Sequence, residues 1–379
     1  MTGVLIHEWI EKDGGAEKVF DAFAEAFPSA DLFCLWNEDE GRYGNRPVRE
    51  SWLARTPLRR NKALALPFMP AAWDAVRLQD YDWSLISSHL FAHHAGGVRA
   101  RASVSGLRKH VYVHSPARYL WTPDLDQRGD KPLVRLVAPS FRALDRHRAR
   151  TSGAHFAANS MFVRQRIQDA WGVDAEVIYP PVDVQRIQTR SSWADSLNEH
   201  DEEVLAGLPE TFLLGASRFV PYKRLDLVIL AGEHADVPVV LAGSGLHKAA
   251  LEERAAQSSV PVTFIDRPSD ALLFALYQRA LAFVFPAVED FGIMPVEAMA
   301  AGAPVLVSNV GGATESVVNG LTGVHVNDWT KSEVVKAVST AAGLRAEDSA
   351  IRARRFDAET FRSEIRSWVG EEAIALPHR

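Results

Sequence analysis

Between residues 211 and 309 the chain repeats one pattern, a short and wholly apolar run followed by an amphipathic stretch. "TFLLGAS", "PVVLAGSG", "VTFID", "AFVFPA" and "PVLVSN" are the apolar runs; "RLDLVILAGEHA", "LHKAALEERAAQ", "SDALLFALYQRA" and "PVEAMAAG" stand between them. A strand without polar alternation is buried on both faces, the situation in parallel sheets whose crossover helices cover both sides. The first half carries the same rhythm. "VLIHEWI", "DLFCLW", "WSLISS", "HVYVH", "FAANS" and "AEVIYPP" read as strands, and "GGAEKVFDAFAEAFP" sets Val19, Phe20, Phe23, Ala24 and Phe27 on one helical face. The expectation is α/β, with two doubly wound domains. The polar stretch from Val182 to Glu210 reads as a linker between them. The boundaries expected are 1–205 for the first domain, 206–355 for the second and 356–379 for a last helix.

The bulk numbers narrow the class. A chain of 379 residues is long for one core and comfortable for two. Its net charge of −6 is the opposite of a nucleic-acid binder's basic footprint, so no nucleic-acid partner is expected. A lone cysteine, Cys34, allows no internal disulfide and suits a reducing compartment. The N-terminus lacks the basic region of a signal peptide, and no run approaches the roughly 20 apolar residues of a membrane span. A cytoplasmic protein is expected. Residues 42–62, with seven Arg or Lys against Glu50, precede an apolar run containing Trp73. They are either a solvated basic loop before a core helix or a peripheral surface for anionic lipid on the inner face of the membrane.

Open α/β sheets bind ligands at the C-terminal ends of their strands, so the site is expected in the interdomain cleft. "FVFPAVEDFGIMPVEAMAAGAPVLVSNVGG" puts Glu289 in the loop after a buried strand and Glu297 in the first turn of a helix. Pro295 suits the first helical position and Gly302 the residue past the end. The backbone from Gly292 through Ile293 to Met294 offers free N–H groups to an anion. The two acids are either solvated caps or a grip on hydroxyl groups. Arg218 and Lys223, after "FLLGAS", suit a diphosphate or are an ordinary basic turn. Gly14 and Gly15, between strand and helix, let a phosphate or sugar approach, or simply make a tight turn.

Taken together, "IHEWIEKDGGAEKV", "YVHSPARYLW", "FAANSMFVRQRI", "VIYPPVDV", "SRFVPYKRLD" and the Glu-x7-Glu pair in "EDFGIMPVE" resemble the retaining GT-B glycosyltransferases of family 4, over most of the chain. The first half is most similar to bacterial mannosyltransferases of O-antigen and related polysaccharide assembly. Its members often show "HDW" where this chain has "HEW", so Glu8 departs from their pattern. The resemblance implies a first domain that takes the acceptor and a second that takes the nucleotide sugar. It implies an α-linked product from an α-linked donor, with mannose from GDP-mannose expected and a UDP-sugar as the alternative. The acceptor implied is a saccharide, free or carried on a polyprenyl diphosphate. Glu289 is implied to grip the transferred sugar and Glu297 the ribose diol. Arg218, Lys223 and the backbone near Gly292 take over the diphosphate charge that a metal neutralises elsewhere, so neither metal nor cofactor is expected. His114 matches the family's active-site histidine; Arg118 and Glu8 are assigned to the acceptor side. By analogy the last helix crosses back onto the first domain, where Phe361, Ile365 and Trp368 pack.

Two rivals remain. Gly243-x-Gly245, with Asp266 after the next strand, looks like a dinucleotide fingerprint and suggests an NAD-dependent dehydrogenase, but Lys248 occupies the third glycine position. Asp124 and Asp126 could suggest a metal-binding Asp-x-Asp, although a proline-flanked surface loop is the expectation. A non-catalytic nucleotide-sugar-binding protein is the non-enzymatic alternative.

Overall fold

The computed structural model describes residues 2–12, 14–97, 106–122 and 132–370. Asp124 and Asp126 therefore lie outside the described residues. The chain divides into two compact units, residues 1–181 with 358–379, and residues 182–357.

The first unit is built on seven parallel strands: β1 (Gly3–His7), β2 (Asp31–Cys34), β3 (Val48–Glu50), β4 (Trp83–Ser88), β5 (Arg108–Val113), β6 (His155–Ala158) and β7 (Glu176–Val177). Their order is β3-β2-β1-β4-β5-β6-β7, so the direction of winding reverses between β1 and β4. The helices used below are α1 (Gly15–Ala26) and α2 (Pro132–Thr151). The five apolar residues expected on one face of α1 and its cap are all buried.

The second unit has six parallel strands: β8 (Leu213–Ala216), β9 (Val239–Ala242), β10 (Val262–Ile265), β11 (Ala282–Phe285), β12 (Val305–Ser308) and β13 (Gly323–Val326). They run in the order β10-β9-β8-β11-β12-β13, and here the reversal falls between β8 and β11. Strands β8, β9 and β11 are buried throughout, as their unbroken apolar sequence requires. Helix α3 (Leu225–Ala235) follows β8, and helix α4 (Ile293–Ala300) follows β11.

The division falls at Pro181, earlier than residue 205, because the polar stretch after it is not a linker. Its scattered apolar residues Val184, Ile187 and Trp193 are buried in the second unit. The Trp193 indole lies 4.8 Å from the Phe274 ring and donates to the Ile187 carbonyl at 3.0 Å. Three apolar residues so widely spaced leave no periodic signal, which is why the stretch looks like a loop.

Residues 358–369 form α5 (Ala358–Val369) and belong to the first unit. Phe361 stacks on Phe23 of α1 at 5.8 Å, Ile365 and Val369 are buried in the same core, and Trp368 packs against it and meets His110 edge-on. Ile365→Val removes one methylene-sized contact from this seam. The expected loss is about 1 kcal/mol, readable as a lower urea midpoint for the first unit.

Candidate functional site

Chemistry-bearing side chains gather at the strand reversal of each sheet. In the second unit the chain leaving β8 passes Arg218, turns once through Pro221–Lys223, and enters α3. The turn is locked by Arg224, which takes the left-handed conformation (φ 53°) and pairs with Asp226 at 2.9 Å. Arg224 therefore stands before α3 rather than in it. Arg218 is exposed, and its guanidinium donates to the Tyr222 hydroxyl at 3.2 Å.

Lys223 turns inward and is 9 % exposed. Its ammonium is paired with the Glu289 carboxylate from the loop after β11, and lies 5.5 Å from the centre of the Phe285 ring. Adjacent strands thus deliver one cation and one carboxylate to the same point. Two charges held this far from water need each other, since either alone would carry an uncompensated desolvation cost.

Beside this pair, Gly292 caps α4 with φ 90°, a conformation that favours glycine. Gly292 has no side chain with which to cap the helix, and the first backbone N–H groups at Ile293 and Met294 have no partner inside it, the arrangement that suits an anion. Pro295 is the third helical residue rather than the first, and Glu297 the fifth, two residues later than expected. The proline is still tolerated because none of the first four N–H groups has a partner inside the helix. Gly302, with φ 93°, does follow the helix end. Glu297 is half-buried.

Two glycines that the sequence reading passed over hold the Glu289 loop. The Gly312 N–H donates to the Glu289 carbonyl at 2.8 Å, and a Cβ at Gly312 would come within 2.1 Å of the Asp290 carbonyl oxygen. Gly311 has φ 104°. A Gly-Gly pair two residues beyond a buried strand was the available signal.

The rival fingerprint has a different explanation. A Cβ at Gly243 would lie 1.9 Å from the Ser217 carbonyl oxygen, and one at Gly245 2.4 Å from that of Phe219. The Phe219 N–H donates to the Ser244 carbonyl at 2.7 Å. These glycines let one loop wrap the backbone that carries Arg218. Asp266, the acid a ribose would need, faces Lys248 at 3.8 Å.

In the first unit the reversal lies at the ends of β1 and β4. His114 follows β5, with its N–H donating to the Ser88 carbonyl at 2.8 Å. Its Nε2 is 2.8 Å from the Ser87 hydroxyl, which is 3.0 Å from Nδ1 of His7. A hydroxyl has one proton to donate, so donating to one ring and accepting from the other couples the tautomers of the two histidines. His7 is fully buried and stacked on Phe20 at 5.1 Å; burial pushes its pKa down to about 3. Ser87 and His7 were missed from the sequence, although a serine pair ending an apolar strand is a usable sign of a buried polar job.

Glu8 is fully buried rather than turned toward an acceptor. One carboxylate oxygen accepts from the N–H groups of Leu90 and Ala92, at 2.6 and 3.0 Å, and burial raises the pKa to about 8. It clamps a loop. Gly14 caps α1 in extended conformation, and the space where its Cβ would stand holds the Glu17 carboxylate, 1.9 Å away. Gly15 is the first helical residue. Arg118 is half-buried and opens a four-residue helix.

The basic segment is mostly spent internally. Arg42 pairs with Asp21, Arg46 donates to the carbonyls of Ala24, Phe27 and Ala30, Arg59 reaches the Asn37 carbonyl, and Lys62 pairs with Glu11. Trp73 is fully buried, so the apolar run behind the segment is core. Trp52, Leu64 and Phe68 are the large apolar residues exposed there. Among the described residues no helix is long and apolar enough to cross a membrane.

Comparison with known proteins agrees with this architecture. Residues 13–186 match the profile of Glycosyltransferase Family 4, and residues 198–353 that of glycosyl transferases group 1. A 195-residue stretch is 30% identical to a GDP-mannose-dependent α-(1-6)-phosphatidylinositol monomannoside mannosyltransferase of Mycobacterium tuberculosis, covering 48% of this chain and 50% of that protein. Over 220 residues it is 28% identical to the α-1,3/1,6-mannosyltransferase alg-2 of Neurospora crassa, at 46% of each chain. The matches span about half the length of these relatives or less. The crystal structure of Anabaena Alr3699/HepE in complex with UDP superposes with a TM-score of 0.73 at 18% identity, covering 98% of this chain and 100% of that one. The fold is GT-B, two Rossmann-like α/β units in series.

Proposed function

We infer that this chain, with its two glycosyltransferase family domains, transfers a hexose from a nucleotide sugar to a saccharide or lipid-linked saccharide acceptor. The observation that carries the reading is the meeting of Lys223 and Glu289 at the ends of β8 and β11, beside the uncapped N-terminus of α4. A sugar diphosphate offers that point what it lacks. Phosphate oxygens suit Lys223, Arg218 and the N–H groups at Ile293 and Met294, and sugar hydroxyls suit the Glu289 carboxylate. Glu297 takes the ribose diol. His114 contacts the transferred sugar, its tautomer set through Ser87.

Transfer proceeds with retention. The diphosphate leaves as the acceptor oxygen attacks the same face, and the leaving phosphate oxygen takes the acceptor's proton. Arg218, Lys223 and the helix amides stabilise the charge that develops on the diphosphate. Mannose from GDP-mannose is the donor we favour, supported by relatives named as mannosyltransferases. A UDP-sugar is the second reading, supported by the fold neighbour bound to UDP. Titration calorimetry with GDP, UDP, ADP and NAD separates them. Tight GDP binding that weakens about tenfold in Glu297→Ala supports mannose and the ribose role together. UDP binding moves the sugar, and NAD binding without any nucleoside diphosphate response overturns the reading.

The exposed Trp52, Leu64 and Phe68, with Arg55 and Arg60 exposed nearby, are the surface we assign to a lipid-borne acceptor's membrane. Flotation with phosphatidylglycerol vesicles at low salt is expected to carry the protein, and Trp52→Ala/Phe68→Ala to leave it behind. Wild type that stays at the bottom of the gradient ends the membrane assignment.

A further inference from the structure

The first unit holds a second polar cluster, joined to the His114 group through Ser88. His93 and His94, in a single 3-10 turn (Ala92–His94), and Asp145 of α2 are all fully buried in side chain. Nε2 of His93 and Nε2 of His94 each lie 3.0 Å from the same oxygen, Oδ1 of Asp145. The three ligand atoms fall within 4.8 Å of one another. The other carboxylate oxygen accepts the indole N–H groups of Trp121 and Trp171, at 2.8 and 2.7 Å.

We propose that His93, His94 and Asp145 bind a divalent transition-metal ion of the zinc class, which fastens the 92–94 turn to α2.

Three observations carry this. The first is the orientation of His93. Its Nε2 is buried and makes no hydrogen bond, although the carboxylate oxygen is only 3.0 Å away. The pair is close but not aligned as a hydrogen bond. The second is its other nitrogen: Nδ1 lies 3.3 Å from the Ser88 hydroxyl. In the tautomer that donates from Nδ1 to Ser88, Nε2 would meet the anionic oxygen with a lone pair, a repulsive contact that a cation between them relieves. The third is the division of labour at Asp145. Two indole N–H groups orient the carboxylate through Oδ2 and leave Oδ1 to the histidines, the arrangement by which outer-shell donors fix a metal ligand.

Two imidazoles and one carboxylate oxygen suit Zn2+ and its neighbours in the transition series, and they leave one tetrahedral position for a small ligand. Lys109 directs its ammonium to the carbonyls of His93 and Ala95, at 2.8 and 2.9 Å. Because none of the three ligands reaches solvent, the ion enters as the unit folds. This centre is separate from donor binding and leaves the metal-free handling of the diphosphate as proposed.

The full chain, expressed with zinc and dialysed against EDTA, is analysed for metal by mass spectrometry. About one zinc per chain is expected, falling at least tenfold in His94→Ala. If the variants do not fold, the wild-type chain is refolded with Co2+ and its hyperfine-shifted, exchangeable imidazole N–H signals are counted by NMR. Two such signals support the site. Wild type that refolds equally with EDTA or zinc and retains no metal shows a hydrogen-bonded histidine–aspartate knot and overturns the proposal. Metal retained undiminished by a folded His94→Ala also overturns it, by placing the ion elsewhere.

Discussion

Glu289→Ala is expected to slow release of nucleoside diphosphate from GDP-mannose or UDP-glucose, whichever is the substrate, by about 100-fold or more. Affinity for the bare nucleoside diphosphate should hold or rise. The asymmetry follows from the Lys223–Glu289 pair. Removing the carboxylate takes away the group assigned to the sugar and frees a buried ammonium for phosphate. Lys223→Ala acts in the opposite sense, weakening the bare nucleoside diphosphate about tenfold or more because a charge-assisted contact is lost. Each single variant also strands a mostly buried charge, costing about 3–5 kcal/mol of stability. The double variant Lys223→Met/Glu289→Leu separates the two effects. It should recover much of the stability and none of the turnover. Turnover restored along with stability would make the pair a structural bridge only.

That pair also shows what could be read from the sequence and what could not. Both residues were found because each follows a run of unbroken apolar residues, and such a run marks a buried strand whose C-terminal end faces a ligand. Their contact was invisible. β8 and β11 are separated by two further strands in sequence, and only the winding order makes them neighbours. The same limit hid Ser87, which links His114 to His7 across β4, a strand whose inward serines look like noise in an apolar pattern. Glu8 was misread for a different reason. Sequence shows a carboxylate after a strand at a site-forming edge but not that the chain folds back to cover it. Glycines were the least specific signal. Gly243 and Gly245 look like a nucleotide fingerprint, yet their missing side chains make room for the backbone at Ser217 and Phe219.

Glu8→Gln should change the pH dependence of stability between pH 5 and pH 8. The folded-state pKa is raised to about 8 by burial, from an ordinary value of 4.5. Between those values the folded chain holds a proton that the unfolded chain has released. The stability linked to Glu8 is therefore fully present below pH 4.5 and is lost as pH rises through 8. From about pH 5 to pH 8 the loss is on the order of 3 kcal/mol. Neighbouring groups bend the wild-type curve in other directions. His7, depressed to about 3, loses its contribution as pH falls below 6.5, and Lys109, lowered to about 7 by burial, adds stability as pH rises toward its ordinary 10.5. The difference between wild type and Glu8→Gln removes both, since they are common to the two proteins. Urea midpoints are expected to be close at pH 5 and to separate steadily toward pH 8, with the glutamine protein the more stable. A difference flat in pH would mean that Glu8 is ionised in the folded chain. The consequence reaches the candidate site, because the N–H groups Glu8 holds at Leu90 and Ala92 border His89, whose ring lies 5.5 Å from His7 and 6.2 Å from His114. The backbone bonds favour the carboxylate and burial disfavours it, so the alkaline loss falls on the stability of the whole unit: turnover in the wild type should follow the folded fraction as pH rises, and Glu8→Gln should hold both to higher pH.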